Sequence, residues 1–375
     1  MTRVGTIKAI DKVLGTLGVV LLGLKKKSPL PKSFSSILCI QLWGMGESIL
    51  TLPAIIAVKK ANPKATISVL ATARNKDVFF GQKDIDNVIE LGMSPGMILS
   101  FMRKNKDMFD LVIDFEEYLN ISAIIAARVG KHTIGFSGQP RSRVYDESIP
   151  YNDAQHVVVT CMDLARLAGA KGVPTELPTL GADLSDKKRV DIFLRESGVG
   201  KQPFVGFGTS VAESSKSRMW PKENFARLAD WMIGKENVHV VFVGTRGEVD
   251  AIQEIIELMH HKDKAVNGAG RLSMRQLFDF VGRCRMFIGN DSGPMHVAAA
   301  MRVPTIGLFG CNLPERFGPY GKNAMGIRKV KERKPCINVH QGEVRECQFE
   351  QTCVSFIWVE DVQEVCERFF RRERK

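Results

Sequence analysis

The chain has 375 residues, 44% of them hydrophobic, and a formal net charge of +12. That length is enough for two cores, and the apolar fraction excludes a disordered or collagen-like chain. Half of the net charge sits in residues 1–35, where seven Lys or Arg face one Asp. With basicity that local, and no zinc finger, RNA-recognition motif or basic-aromatic array, nucleic acid is excluded as a partner.

Ile7, Ile10, Leu14, Leu17, Leu21 and Leu24 recur at spacings of three and four, the pattern of one apolar stripe along a helix. The uncharged run 13–24 holds 12 residues, short of the roughly 20 that span a bilayer, and ends at Lys25-Lys26-Lys27. A signal peptide has its charges first and a small-residue cleavage site after the apolar run. Residues 1–27 therefore read as a basic amphipathic helix lying on an anionic membrane. A peripheral protein on the inner face of the cytoplasmic membrane is the expected location. Packing of this helix on the protein's own core, or on a partner, is the alternative. Eight cysteines without a secretory signal fit reduced thiols in the cytoplasm. Cys39, Cys161, Cys284 and Cys366 lie in apolar runs and read as core. Cys336, Cys347 and Cys353 lack the tight pairs of a structural zinc site, and no metal is expected.

From Ser36 onward, strands alternate with helices. Ile37–Leu42, Ala65–Leu70, Val88–Leu91, Leu111–Asp114 and Thr133–Gly135 read as strands, with helices over Ser48–Lys60 and Gln155–Leu167. Gly169 to Asp183 is rich in turn formers and marks a boundary between domains. A second series follows, with strands near Phe204–Phe207, Val238–Val243, Met286–Ile288 and Thr305–Leu308, and helices over Pro221–Ile233 and Val249–Met259. This alternation predicts an α/β protein of two doubly wound parallel sheets, whose ligands sit beyond the carboxyl ends of the strands in a central cleft.

The most informative stretch is Phe287 to Gly310: buried strand, glycine turn, alanine-rich helix, Pro304, second buried strand. Asp291 and Ser292 are good N-cap residues, Gly293 admits close approach of a ligand, and Pro294 suits the first turn. Free amides at such a helix start attract phosphate, and His296 lies in the same turn. Thr209 and Ser210 close a glycine-rich strand end, and Arg218 precedes a helix opened by Pro221. Together they bring hydroxyls and a cation to the same kind of ligand. Glu47, at the tip of the first strand, is a candidate general base, or simply a favourable acid at a helix start. Gly44-Met45-Gly46 lacks the third glycine of a dinucleotide fingerprint, which argues against a nicotinamide enzyme.

Gly46-Glu47-Ser48-Ile49-Leu50-Thr51-Leu52-Pro53, Arg218-x-Trp220-Pro221, Asp291-Ser292-Gly293-x-x-His296-x-x-Ala299 and Phe317-Gly318-Pro319-Tyr320-Gly321 together resemble glycosyltransferase family 9. These are the heptosyltransferases that add heptose from ADP-heptose to the inner core of lipopolysaccharide. The resemblance covers residues 36 to 370. It implies a GT-B fold with an acceptor-binding Rossmann-like domain at 36–180 and a nucleotide-sugar domain at 181–357. These are flanked by the basic segment 1–35 and a C-terminal helix at 358–375. It further implies an inverting transferase without metal or other cofactor, acting on a lipid-linked saccharide. Glu47 stands where the family usually has an aspartate base. Asp291, Ser292, Gly293 and His296 fall at the diphosphate and sugar, and Thr209 and Ser210 on phosphate oxygens. Arg218 stands where lysine is usual, and Ser292 where threonine is common. Glu248 is a candidate ribose contact. These exchanges keep the chemical class and change reach and geometry. Two other readings are a GT-B transferase using another nucleotide sugar and glycolipid, and a membrane-tethered sugar-nucleotide binding protein without turnover.

Overall fold

The computed structural model describes residues 27–209, 217–338, 341–344 and 347–373, together with residues 11, 15, 16, 18, 19 and 211. Ser210 and the six apolar residues of the expected N-terminal stripe lie outside them. The chain divides into two compact units, one formed by Met1–Pro174 with Val339–Glu343, the other by Thr175–Asn338 with Val344–Lys375.

The first unit contains β1 (Ser36–Ile40), α1 (Met45–Ala61), β2 (Thr66–Ala71), β3 (Asn87–Glu90), α2 (Pro95–Lys104), β4 (Phe109–Asp114), α3 (Asn120–Val129), β5 (Gly130–Ser137), β6 (Glu147–Pro150) and α4 (Val157–Arg166). Its strands form one sheet in the order β3-β2-β1-β4-β5-β6, with every pair parallel. Ile37, Leu38, Cys39 and Ile40 are fully buried. A parallel strand covered on both faces requires such a continuous apolar run. The strand order reverses between β1 and β4, so the loops that leave their carboxyl ends diverge and open a crevice there.

The second unit follows the same plan. It contains α5 (Leu184–Glu196), β7 (Phe204–Gly208), α6 (Lys222–Glu236), β8 (His239–Val243), α7 (Val249–Glu257), β9 (Ala265–Asn267), α8 (Met274–Gly282), β10 (Met286–Asn290), α9 (Gly293–Ala300), β11 (Thr305–Leu308), α10 (Pro314–Phe317) and β12 (Ala324–Ile327). The short pair β13 (Ile337–Asn338) and β14 (Glu343–Val344) precedes α11 (Val359–Glu373), which packs on α6 through Val362, Cys366 and Phe369. The sheet order is β12-β11-β10-β7-β8-β9, again all parallel, with its reversal between β7 and β10. Helix α9 lies close on this sheet. A Cβ on Gly307 would stand 2.3 Å from the Met295 sulfur and 2.7 Å from the Phe309 ring, so any larger residue would have to displace one of them.

The expected α/β architecture is present, with three differences. Helix α1 begins three residues before the expected Ser48, because Gly44 serves as its N-cap at φ 54°, and Glu47 falls inside the first turn. Helices α5 and α8 were not anticipated; each opens with a capping box, Asp183 with Asp186 and Ser273 with Gln276. Strands β6, β9 and β12 have only three or four residues and partly exposed faces, too short for a periodic signal. The four cysteines expected in the core are buried, as are Cys311 and Cys353; Cys336 and Cys347 are partly exposed.

At the N-terminus, the Asp11 carboxylate accepts from the amides of Asn120 (2.9 Å) and Ile121 (2.8 Å), which caps α3 from a distant part of the chain. Asn120 Nδ2 donates to Thr16 Oγ1 at 3.2 Å, and Val19 is fully buried in the core of this unit. The Asp11 face of the segment is therefore docked on its own unit. Among the described residues, no helix is long and apolar enough to cross a membrane.

Beneath β4 lies a buried ion pair. Asp114 Oδ2 accepts from Arg141 Nη2 (2.5 Å), Tyr145 OH (2.8 Å) and Ser122 Oγ (2.8 Å), and neither charged side chain has any exposed area. Removing one member of such a pair strands the other charge in a low dielectric. Arg141→Met should lower unfolding free energy by about 3–5 kcal/mol in a urea titration. Adding Asp114→Asn should recover part of that loss.

Candidate active site

Each sheet presents one loaded turn at its reversal point. In the second unit it is the β10–α9 turn. Helix α9 starts at Gly293 behind Ser292, with Pro294 in its first turn and no side chain capping its amides. Pro294 has no N–H and the Met295 amide donates to the Ser292 carbonyl at 3.2 Å, so the Gly293 end of the helix and its dipole are what favour a diphosphate beyond β10. Asp291 is 4% exposed; its Oδ2 accepts from Asn312 Nδ2 at 3.1 Å and lies 3.5 Å from Arg218 Nη1. The same Nη1 donates to the Asp291 carbonyl at 3.2 Å. Arg218 is thus held against the turn by both its carbonyl and its carboxylate. Ser292 Oγ and Arg218 Nε are shielded from solvent with no hydrogen-bond partner among the described residues. A hydroxyl and a guanidinium N–H kept in reserve beside a helix start make an anion-binding arrangement. His296 is 4% exposed in the first turn of α9.

Two residues that sequence reasoning missed hold this turn together. Asn290, fully buried at the end of β10, donates to the Thr209 carbonyl at 2.6 Å and accepts from the Trp220 amide at 3.1 Å. It thereby ties the end of β7 and the Arg218-bearing loop to the strand that carries Asp291. Trp220 is anchored in turn by its indole N–H, which donates to the Ile357 carbonyl at 2.8 Å. Asn312, 2% exposed, steadies Asp291 from beyond β11. Thr209 is buried at the end of β7. Glu248 lies after β8, the neighbour of β7; its Oε2 accepts from the Thr245 amide (2.6 Å) and hydroxyl (2.8 Å), so that oxygen caps the helix turn.

In the first unit the loaded turn follows β1. Gly44 takes a left-handed φ of 54°, and a Cβ there would sit 1.8 Å from Glu47 Oε2, so the Glu47 carboxylate is folded back over the glycine. Hydrogen bonds wire the surrounding backbone. Ser48 Oγ donates to the Gly44 carbonyl (2.7 Å), Thr72 Oγ1 to the Leu42 carbonyl (3.0 Å) and Asn75 Nδ2 to the Gln41 carbonyl (2.8 Å). Glu116 and Glu117, both nearly buried, follow β4 at the same edge. Among the described residues, no three His, Cys, Asp or Glu side chains gather as a metal site.

Two doubly wound parallel sheets of this kind are the architecture of GT-B glycosyltransferases, and solved structures agree. The glycosyl transferase family 9 protein of Veillonella parvula matches with a TM-score of 0.78 at 21% identity, over 92% of this chain and 100% of that one. ADP-heptose lipopolysaccharide heptosyltransferase II of Escherichia coli matches with a TM-score of 0.71 at 22% identity, over 91% and 100%. Residues 98–345 match the model of glycosyltransferase family 9 (heptosyltransferase), and the chain belongs to that family. Among its sequence relatives is the lipooligosaccharide heptosyltransferase 2 of Haemophilus ducreyi, 24% identical over 318 residues, which make up 80% of this chain and 90% of that protein.

Gly44 gives a direct test of the first turn. Gly44→Ala puts a methyl where the Glu47 carboxylate lies and a side chain at a positive φ, for a stability cost of about 1–3 kcal/mol. If Glu47 serves the reaction, turnover should fall at least ~10-fold at temperatures where the variant is fully folded by circular dichroism, because the substitution displaces its carboxylate.

Proposed function

We propose that this protein is an inverting transferase that moves heptose from ADP-heptose to a hydroxyl of the lipopolysaccharide inner core. Family membership supplies the reaction class. The observation that carries the donor assignment is the β10–α9 turn, with Ser292 Oγ and Arg218 Nε in reserve beside the start of a helix. The second unit would bind the donor. The diphosphate would lie against Ser292, Gly293 and Arg218, with Thr209 and Ser210 on its oxygens, His296 toward the sugar and Glu248 toward the ribose. The first unit would bind the lipid-linked saccharide acceptor.

In this scheme Glu47 takes the proton of the acceptor hydroxyl as its oxygen bonds to the anomeric carbon. The bond from that carbon to the diphosphate breaks on the opposite face, and ADP leaves with the electron pair. Arg218 and the α9 amides supply positive charge where the leaving oxygen gains negative charge, so no cofactor is required. The donor test is thermal. ADP-heptose, and ADP as its fragment, should raise the melting temperature more than UDP or GDP compounds. A larger shift with a UDP-sugar would assign a different donor. Glu47→Gln should lower kcat by a factor on the order of 10²–10⁴ with donor affinity nearly unchanged, and near-normal turnover would remove Glu47 from the chemistry.

We further propose that residues 1–27 attach the enzyme to an anionic membrane surface, on the cytoplasmic side. Asp11, Thr16 and Val19 dock on α3, so truncation would expose that helix and strip its cap. Charge reversal at Lys25, Lys26 and Lys27 retains Asp11, Thr16 and Val19 and is the cleaner experiment. At ~1 kcal/mol per lysine near anionic lipid, triple replacement by Glu should weaken flotation with phosphatidylglycerol vesicles by two orders of magnitude or more at low salt. Unchanged flotation would refute attachment through this segment.

A further inference from the structure

The Glu47 turn is held from below by a carboxylate with no assigned role. Glu116 follows β4, across the sheet reversal from β1, and is 3% exposed. Its Oε1 accepts from the Leu42 amide at 2.5 Å, the Trp43 amide at 2.9 Å and Gln41 Nε2 at 3.3 Å. Three donors of the β1–α1 turn thus converge on one oxygen. Gln41 extends the hold into α1, because the single proton of the Thr51 hydroxyl is shared between Gln41 Oε1 at 3.1 Å and the Glu47 carbonyl at 2.9 Å. Glu116 is itself fixed, its amide donating to Asp114 Oδ1 at 3.1 Å, and Asp114 is locked by Arg141. A continuous set of hydrogen bonds therefore runs from the buried ion pair to the backbone of Glu47.

We propose that Glu116 is a positioning residue for the transfer reaction, whose carboxylate fixes the β1–α1 turn and so aims the Glu47 side chain at the acceptor hydroxyl. This rests on the reading of Glu47 as the base. A hydrogen bond from an amide to a carboxylate is about twice as strong as one to a neutral acceptor, so the hold is tighter when Glu116 is ionised. Burial, then the neighbouring Asp114 charge, pushes its acidity to about 7, against the pull of the two turn amides and Arg141. The other titratable groups at this edge are Glu47, Glu117, Asp11 and the Tyr118 phenol, which burial and those carboxylates push upward.

The linkage sign separates positioning from plain structural support. The folded acidity of Glu116 lies above its ordinary value of 4.5, so the native state keeps a proton there that the unfolded chain has lost. The stability contributed by that proton is present below pH 4.5 and declines as pH rises to 7. Glu116→Gln keeps an acceptor and abolishes the buried charge. At pH 8 this variant should melt higher than the wild type and yet turn over about tenfold more slowly, with donor KM unchanged. A purely structural residue would move both readouts the same way.

The wild-type kcat should rise between pH 6 and 8, and in Glu116→Gln that limb should flatten. Hydrogen exchange at the Leu42 and Trp43 amides of the variant should quicken at pH 8, a readout independent of catalysis. In a Glu47→Gln background, adding Glu116→Gln should cost no further turnover, because it acts through Glu47. Unchanged amide exchange, or an undiminished tenfold cost in the Glu47→Gln background, would overturn the proposal. Full activity of Glu47→Gln alone would instead overturn the assignment of the base.

Discussion

Every parallel strand ends with backbone groups that its neighbours no longer satisfy, and where strand order reverses those groups face a crevice. A buried amide or carbonyl there must find a side chain. In the second sheet the partner is Asn290, which takes the Trp220 amide and the Thr209 carbonyl at once. In the first it is Glu116, which takes the amides of Leu42 and Trp43. These two side chains satisfy the turn amides that no strand neighbour reaches. The same requirement that closes the fold therefore also sets the positions of Glu47 and Arg218.

The two turns differ in what closes them. Around α9 the framework is neutral: an amide side chain, a tryptophan anchor and a glycine under Met295. Its charged members, Asp291 and Arg218, are held against that framework beside the helix start. Around α1 the framework is itself ionic, since Arg141, Asp114 and Glu116 lie in sequence beneath the turn. A neutral frame leaves the field at the anion site to the ligand and the helix. An ionic one makes the β1–α1 turn sensitive to the charge state of its own interior.

The β10–α9–β11 unit was legible in the sequence because its strands are unbroken apolar runs and its turn is spelled by residues with local roles. The expected strand Thr305–Leu308 matches residue for residue, and Asp291 to His296 lie together at the sheet reversal. Asn290, Asn312 and Glu116 gave no such signal. Glu116 is 73 residues from the Trp43 amide it accepts, and Asn290 is 70 from that of Trp220. A buried acid or amide that serves a distant backbone looks, in one dimension, like any loop residue. Arg141 misleads in the same way, since an arginine in a loop reads as surface and this one has no exposed area. Three local signals stand in the sequence itself, one of them Ser273 with Gln276 at the start of α8. Asp183 with Asp186 spells a helix start, and Thr245 with Glu248 spells a cap that gives Glu248 a structural task beside any contact with ribose.

The distribution of sulfur has a practical meaning for anyone who handles this enzyme. Six of the eight thiols are buried, and burial pushes Cys161 to about 12 and Cys39, Cys284 and Cys366 upward as well. Electrophiles react with thiolate, so these sulfurs are inert while the fold holds and ordinary once it opens. Only Cys336 and Cys347 are partly exposed. A maleimide dye thus reads the native molecule as two accessible sites and the denatured one as eight. The chain carries its own stoichiometric gauge of unfolding, and its outer pair offers attachment points for a fluorophore, of which Cys336 lies one backbone hydrogen bond from Cys311, near Arg218 and Asp291.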